Sequence, residues 1–299
     1  MRKTFLTITD VPSEDIPAII KRAKLMKDQD IRSDILQGSS WILLFEKAST
    51  RTRISFEVAV FHLGGRTIFM TPSESQLGRQ EPLQDTARVL DRYVQGLIVR
   101  TFSQKNLQEM AVASGIPLIN ALTDDYHPCQ VMSDLLTIFE RTPRFEELRI
   151  AWVGDGNNMA HSWINAARCL PFTLTMATPE GFEPRPEVVE AARQDGAKIH
   201  LGRDPEEAVR GADYVNTDVW ASMGQETEEA GRMDLFEPYR VDGRLMGLAA
   251  PEARFMHCLP AHRGQEVTEE VLEGPQSIVW DQAENRLHMQ KAILEWIVG

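Results

Sequence analysis

A chain of 299 residues, 42% hydrophobic and 25% charged, has the make-up of a globular protein with room for two cores, which excludes fibrous and disordered classes. Its net charge of −12 argues against nucleic acid as a main partner while leaving room for a small basic pocket. Cys129, Cys169 and Cys258 are odd in number, far apart and without a Cys-x-x-Cys pair. That pattern excludes a disulfide framework or thiolate zinc site and fits a reducing compartment. No run is long enough to span a membrane and the N-terminal apolar stretch is too short for a signal peptide. A cytoplasmic protein without a membrane partner is therefore expected.

Short apolar runs at 41–45, 66–69, 96–99 and 116–119 read as buried strands, and they resume at 149–153, 172–176, 197–200, 213–217, 254–258 and 277–280. Between them, 82–93, 104–114, 130–141, 158–169 and 186–194 carry helical spacing, and 284–298 reads as a last amphipathic helix. After the first run, Ile54, Phe56, Val58, Ala59, Phe61 and Leu63 fall on one broad helical face. This alternation predicts an α/β protein of two domains, each a mostly parallel sheet flanked by helices. The pattern breaks at Arg141-Thr142-Pro143-Arg144. The expected domains are 1–142, joined by the C-terminal helix 284–299, and 143–283.

In such sheets ligands gather beyond the carboxyl ends of strands, and the polar motifs lie there. Ser49-Thr50-Arg51-Thr52-Arg53 hands the strand 41–45 over to a helix N-terminus, where unpaired N–H groups and the helix dipole converge. Two arginines and three hydroxyls suit a phosphate or carboxylate there, and a Ser N-cap with solvated arginines reads equally well. Arg100 ends the run 96–99. His127 and Gln130 lie close together before a helix and could orient a planar group bearing a carbonyl and an NH₂. Gly154-Asp155-Gly156-Asn157-Asn158-Met159 opens a helix as a nucleotide fingerprint does, but Met159 replaces the third glycine. Asp218 could pair with an ammonium group or cap a helix, and Cys258 could serve chemistry or fill space. His257 and Cys258 do not make a pair, because adjacent strand residues face opposite ways. Together these ends predict one composite active site in a cleft between the domains.

Taken in order, the motifs resemble the ornithine carbamoyltransferases, within the aspartate/ornithine carbamoyltransferase family, over essentially the whole chain. The resemblance rests on Ser49–Arg53, Ser75-Gln76-Leu77-Gly78, Asp85-Thr86-Ala87-Arg88-Val89-Leu90, His127-Pro128-Cys129-Gln130 and Asp155-Gly156-Asn157-Asn158. It continues through Asp218-Val219-Trp220-Ala221-Ser222-Met223-Gly224, His257-Cys258-Leu259-Pro260 and Ala283-Glu284-Asn285-Arg286. Gln80, where Gly or Lys is common, is a departure that touches no expected contact.

The resemblance implies transfer of the carbamoyl group of carbamoyl phosphate to the δ-amine of L-ornithine, giving citrulline and phosphate in arginine biosynthesis, with no metal or organic cofactor. By the same resemblance Ser49, Thr50, Arg51 and Thr52 would hold the phosphate. Arg100 would bridge phosphate and carbamoyl oxygen, Thr52 and His127 would point at that oxygen, and Gln130 and the Leu259 carbonyl would take the NH₂. Arg286 would complete the cage, and Gln76 would reach a neighbouring subunit's site, implying a homotrimer or a multiple of one. Asn158, Asp218, Ser222 and Met223 would grip the α-amino and α-carboxylate ends of ornithine. Cys258 would lie beside carbamoyl phosphate and the reacting δ-amine, with Arg100, His127 and Cys258 as the catalytic set. Competing readings are a transcarbamoylase for putrescine, aspartate or an acylated ornithine, a non-catalytic binding protein on the same scaffold, and a nucleotide-dependent oxidoreductase.

Overall fold

The computed structural model of the chain describes residues 4–71, 81–221 and 229–299. They form two compact units, one of residues 1–136 with 285–299 and one of residues 137–284.

The first unit holds β1 (Thr4–Phe5), α1 (Ile16–Asp28), β2 (Ser40–Phe45), α2 (Thr50–His62), β3 (Arg66–Met70), α3 (Leu83–Leu90), β4 (Gly96–Arg100), α4 (Gln104–Ala113), β5 (Leu118–Leu122) and most of α5 (Pro128–Phe139). Its strands form one sheet in the order β1-β5-β4-β2-β3, and every pairing is parallel. Parallel pairs need long crossovers, which the helices supply, so the central strands are covered on both faces. All six residues of β2 and all five of β4 are accordingly buried. In α2, Phe56, Ala59 and Val60 are buried, as is Leu63 just beyond its end. The face expected from spacing was wider. Ile54 and Phe61 stay 54% and 69% exposed because they share a stripe, seven residues apart, that the sheet does not cover.

The second unit holds β6 (Arg149–Val153), α6 (Asn158–Cys169), β7 (Thr173–Ala177), α7 (Pro186–Gln194), β8 (Lys198–Gly202), α8 (Pro205–Val209), β9 (Tyr214–Thr217), α9 (Glu229–Phe236), α10 (Gly243–Met246), β10 (Arg254–His257) and α11 (Glu269–Leu272). Its sheet runs β10-β9-β6-β7-β8, again parallel throughout. Two expectations change. Residues 277–280 are not a strand: Ser277 makes one bridge to Phe255, and the last helix, α12 (Val279–Val298), has begun by Val279. A two-residue strand at Thr4–Phe5 was too short for periodicity to mark.

From Asn285 onward α12 belongs to the first unit. It docks on α1 and the turn after it through polar contacts. Lys27 Nζ donates to Asn285 Oδ1 (2.8 Å), Arg22 grips Glu295 through two bonds (2.9 and 3.0 Å), and buried Lys291 donates to the Ile31 carbonyl. That docking carries Arg286 to the sheet of the first unit.

Candidate functional site

Adjacent strands β5, β4 and β2 place three sequence-distant segments side by side at their carboxyl ends. The segments are clipped to one another. Glu46 N–H donates to the Arg100 carbonyl (2.8 Å), Asp124 N–H donates to the Phe102 carbonyl (2.9 Å), and Thr101 Oγ1 donates to Glu46. Lys47 pairs with Asp124 and lies 4.3 Å from the Phe102 ring centre.

Ser49 caps α2 from an extended conformation, its Oγ accepting from Thr52 N–H (3.3 Å) and donating to Thr52 Oγ1 (2.9 Å). Arg286 Nη2 also donates to Thr52 Oγ1, at 2.6 Å. With two donors on that oxygen, the Thr52 hydroxyl proton is left to serve a further acceptor. The cap and the anion-site readings are therefore compatible. Thr50 and Arg51 are exposed on the first turn, and Arg51 has no ion-pair partner among the described residues. Arg53 does not add its charge here: it bonds Glu57 (2.9 Å) and stacks 3.7 Å over Phe69.

Arg100, His127, Gln130 and Arg286 are all buried. Burial, with Arg286 and then Arg100 nearby, holds His127 well below the usual imidazole range, so the ring is neutral at pH 7. A neutral imidazole beside two guanidinium groups keeps one N–H to donate and adds no third charge. Gln130 Nε2 donates to buried Asp134 (2.9 Å), while Gln130 Oε1 is buried with no partner among the described residues. Cys129, next to it, is inert: burial pushes its thiol up to about 12, and it donates to the Asn120 carbonyl.

In the second unit, β6, β9 and β10 are neighbours, and their ends bring Asn157, Asp218 and Cys258 together. Asn157 caps α6 by accepting from Met159 and Ala160 N–H groups, and its Nδ2 donates to Asp218 Oδ2 (2.9 Å). Asp218 Oδ1 accepts from Val219 N–H (2.8 Å) and from the Cys258 thiol (3.1 Å). Asp218 and Cys258 thus form one hydrogen-bonded pair, where the motif reading had set them at opposite ends of the amine. No helix follows Asp218 through Ala221, so the carboxylate is not a helix cap. Asn158 opens α6, partly buried, one residue past the cap.

Asp218, His257 and Cys258 lie close enough together to suggest a metal site. The histidine is already committed. Its Nδ1 accepts from Leu259 N–H (2.8 Å), so its proton sits on Nε2, facing Glu266 Oε1 at 3.1 Å. Two ligands remain, fewer than a structural zinc needs. His257 faces the core, and its bond to Leu259 fixes a residue in the left-handed region (φ 59°), which a leucine seldom adopts.

The local motifs did not mark three contributors. Arg232, far along the chain, donates to Asp155 Oδ2 (3.1 Å) and to the Trp220 carbonyl (2.8 Å), joining the ends of β6 and β9. Burial pushes the Asp155 carboxyl up to about 6, against the opposing pull of Arg232. Asp134 carried a usable signal, four residues after Gln130 on one helix. Glu266 carried none. Gln76, Ser222 and Met223 lie outside the described residues.

Gly156 is needed for close packing. A Cβ there would come within 2.3–2.6 Å of backbone atoms of residues 182–184, and its N–H donates to the Phe182 carbonyl (2.8 Å). Gly156→Ala is expected to lower stability by about 1–3 kcal/mol and to weaken amine binding by shifting the Asn157 cap. Thermal melting and titration with amine ligands check both.

A family model described as the aspartate/ornithine carbamoyltransferase carbamoyl-P binding domain matches residues 3–140, and one described as the Asp/Orn binding domain of the same family matches residues 146–297. The ornithine carbamoyltransferase of Oleidesulfovibrio alaskensis is 63% identical over 298 residues, covering 100% of this chain and 99% of its own. That of Nitratidesulfovibrio vulgaris is 62% identical over 297 residues, 99% of each chain. Among solved structures, ornithine carbamoyltransferase from Pyrococcus furiosus superposes with a TM-score of 0.93 at 44% identity, covering 98% of this chain and 96% of that one. Matched along nearly its whole length, and with its polar residues at the ends of two parallel sheets, the chain belongs to the aspartate/ornithine carbamoyltransferase family.

Proposed function

We propose that this protein transfers the carbamoyl group of carbamoyl phosphate to the δ-amine of L-ornithine, releasing citrulline and phosphate. The observation that carries the reading is the pair of unlike polar clusters. One has Arg286 on Thr52, Arg286 and Arg100 beside a neutral His127, and Arg51 on the same helix turn as Thr52; the other is the carboxylate of Asp218 with the Cys258 thiol.

In this reading Ser49, Thr50, Arg51 and Thr52 hold the phosphate at the N-terminus of α2, with Arg286 behind Thr52 and Gln76 completing the cage. Arg100, His127 and Thr52 donate to the carbamoyl oxygen and stabilise the oxyanion of the tetrahedral intermediate. Gln130 Oε1 and the Leu259 carbonyl accept from the carbamoyl NH₂. Asp218 pairs with the α-ammonium group of ornithine, and Asn158, Ser222 and Met223 hold its α-carboxylate end. Cys258 orients the amine. Its proton is committed to Asp218, so the departing phosphate, a better acceptor, takes the proton from the attacking nitrogen. Carbamoyl phosphate is a mixed anhydride and citrulline a urea, so the equilibrium favours citrulline, as a role in arginine synthesis needs. No step calls for a metal or an organic cofactor, and a cytoplasmic location fits the cysteine usage.

A homotrimer, or a multiple of one, completes the reading. Ile54 and Phe61 on α2 and Ile68 (44% exposed) on the edge strand β3 are exposed apolar side chains of the kind that a second copy covers. Light scattering is expected to give a mass of three chains or a multiple of three.

The direct test supplies carbamoyl phosphate with ornithine, putrescine, N-acetylornithine or aspartate. Ornithine is expected to be the best acceptor, and a stronger rate with any other would displace the assignment. A second outcome concerns pH. A lysine-like amine is neutral in about one molecule in a few thousand at pH 7. His127 is neutral throughout this range, so it adds no limb to the profile. The rate at saturating carbamoyl phosphate is expected to climb steadily from pH 7 toward the effective pKa of the bound amine. A flat profile with chemistry rate-limiting would contradict attack by the neutral amine.

A further inference from the structure

Gln130 and Asp134 lie on one face of α5, four residues apart, and both are shut off from solvent, at 1% and 0% exposure. A carboxamide has two ends of nearly equal size, and which end meets a ligand depends on what holds the other. Asp134 Oδ1 accepts from the NH₂ end of Gln130, at 2.9 Å. The oxygen end, Oε1, is left buried with no partner among the described residues. A buried acceptor without a donor is costly, so it marks the place where a ligand donor completes the site.

We propose that Asp134 is the positioning residue that makes this site select a carbamoyl group over an acetyl group, by locking Gln130 with its carbonyl oxygen toward the ligand. The inference rests on the carbamoyl phosphate reading above and deepens it. A carbamoyl group offers an NH₂ to that oxygen. An acetyl group offers a methyl of similar size, which leaves the acceptor unpaired. The rest of the anion cluster treats the two acyl phosphates alike, because Ser49–Thr52, Arg100 and Arg286 address oxygens that both possess. Among the residues of the first unit discrimination then resides in one amide, whose sense is set by the carboxylate behind it, and the Leu259 carbonyl adds to it.

The test measures binding of carbamoyl phosphate, acetyl phosphate and inorganic phosphate to the whole protein by calorimetry without amine, so that it does not depend on turnover. The unmodified protein is expected to favour carbamoyl over acetyl phosphate by about 10- to 100-fold. Asp134→Asn offers the amide both a donor and an acceptor and frees it to turn. The preference is expected to fall to about threefold or less, with the affinity for inorganic phosphate unchanged within a similar factor. A merely structural role would weaken all three ligands together, and an intact preference in Asp134→Asn would overturn the proposal. If circular dichroism shows that the variant does not fold, a neutron structure of the unmodified protein decides. The NH₂ of Gln130 is expected to face Asp134, and the oxygen facing Asp134 would be the contrary result. Absence of preference in the unmodified protein would also overturn it. Normal preference without citrulline formation would instead overturn the assigned reaction and leave the Asp134 proposal standing.

Discussion

Arg51→Gly is expected to abolish measurable carbamoyl phosphate binding while leaving the fold intact. Arg51 lies exposed on the first turn of α2, without an ion-pair partner among the described residues, so its removal takes nothing from the core. The glycine itself costs at most about 1 kcal/mol of helix stability. The ligand loses a charge-assisted contact to a phosphate already seated at a helix N-terminus, which typically costs about 2–5 kcal/mol. Titration with carbamoyl phosphate, alongside a melting curve, separates the two effects. Near-normal affinity would remove the anion site from the account, however well the remaining residues fit.

The second large effect falls on the amine. Asp218→Asn keeps the size of the side chain but removes the charge that pairs with an ammonium group. Asp218 also anchors Asn157, Val219 and Cys258. The KM for ornithine is expected to rise by two orders of magnitude or more, in keeping with about 2–5 kcal/mol for a lost buried charge pair. Affinity for carbamoyl phosphate is expected to stay within a few-fold of the unmodified protein, because its phosphate and carbamoyl oxygen are assigned to residues of the first unit and only the Leu259 carbonyl and Cys258 meet it from the second. Steady-state kinetics with each substrate varied in turn measures both. An equal loss for the two substrates would mean that Asp218 supports the fold more than the amine.

Much of the architecture was legible because parallel sheets write themselves as short apolar runs between helical stretches, and because polar motifs at strand ends stand out against such runs. Ser49, Arg100, His127, Asp218 and Cys258 could be placed at strand ends on that ground, while their expected roles came from the resemblance. Residues that act through tertiary contact could not. Arg286 reaches Thr52 because the last helix docks through buried Met289, Ile293, Leu294 and Ile297 and through bonds to Lys27, Arg22 and the Ile31 carbonyl. An amphipathic pattern marks such a helix without saying which side chain it brings to which. Arg232 joins two strand ends from a helix far along the chain. Periodicity also overstated the buried face of α2, since it registers apolar side chains and cannot tell which of them the sheet covers. Ile54 and Phe61 are the residues that show the difference. The hydrogen bond between Asp218 and Cys258 was not legible for a related reason. Neighbouring parallel strands end side by side, so residues 40 positions apart come within 3.1 Å.

The proposed reaction moves one carbon from phosphate to nitrogen. Carbamoyl phosphate labelled with ¹³C, mixed with the protein and followed by ¹³C and ³¹P NMR as ornithine is added, reports that transfer directly. The label is expected to move into the ureido carbon of citrulline, with one equivalent of phosphate released for each. Label recovered only as bicarbonate or cyanate, at the rate seen without protein, would contradict it.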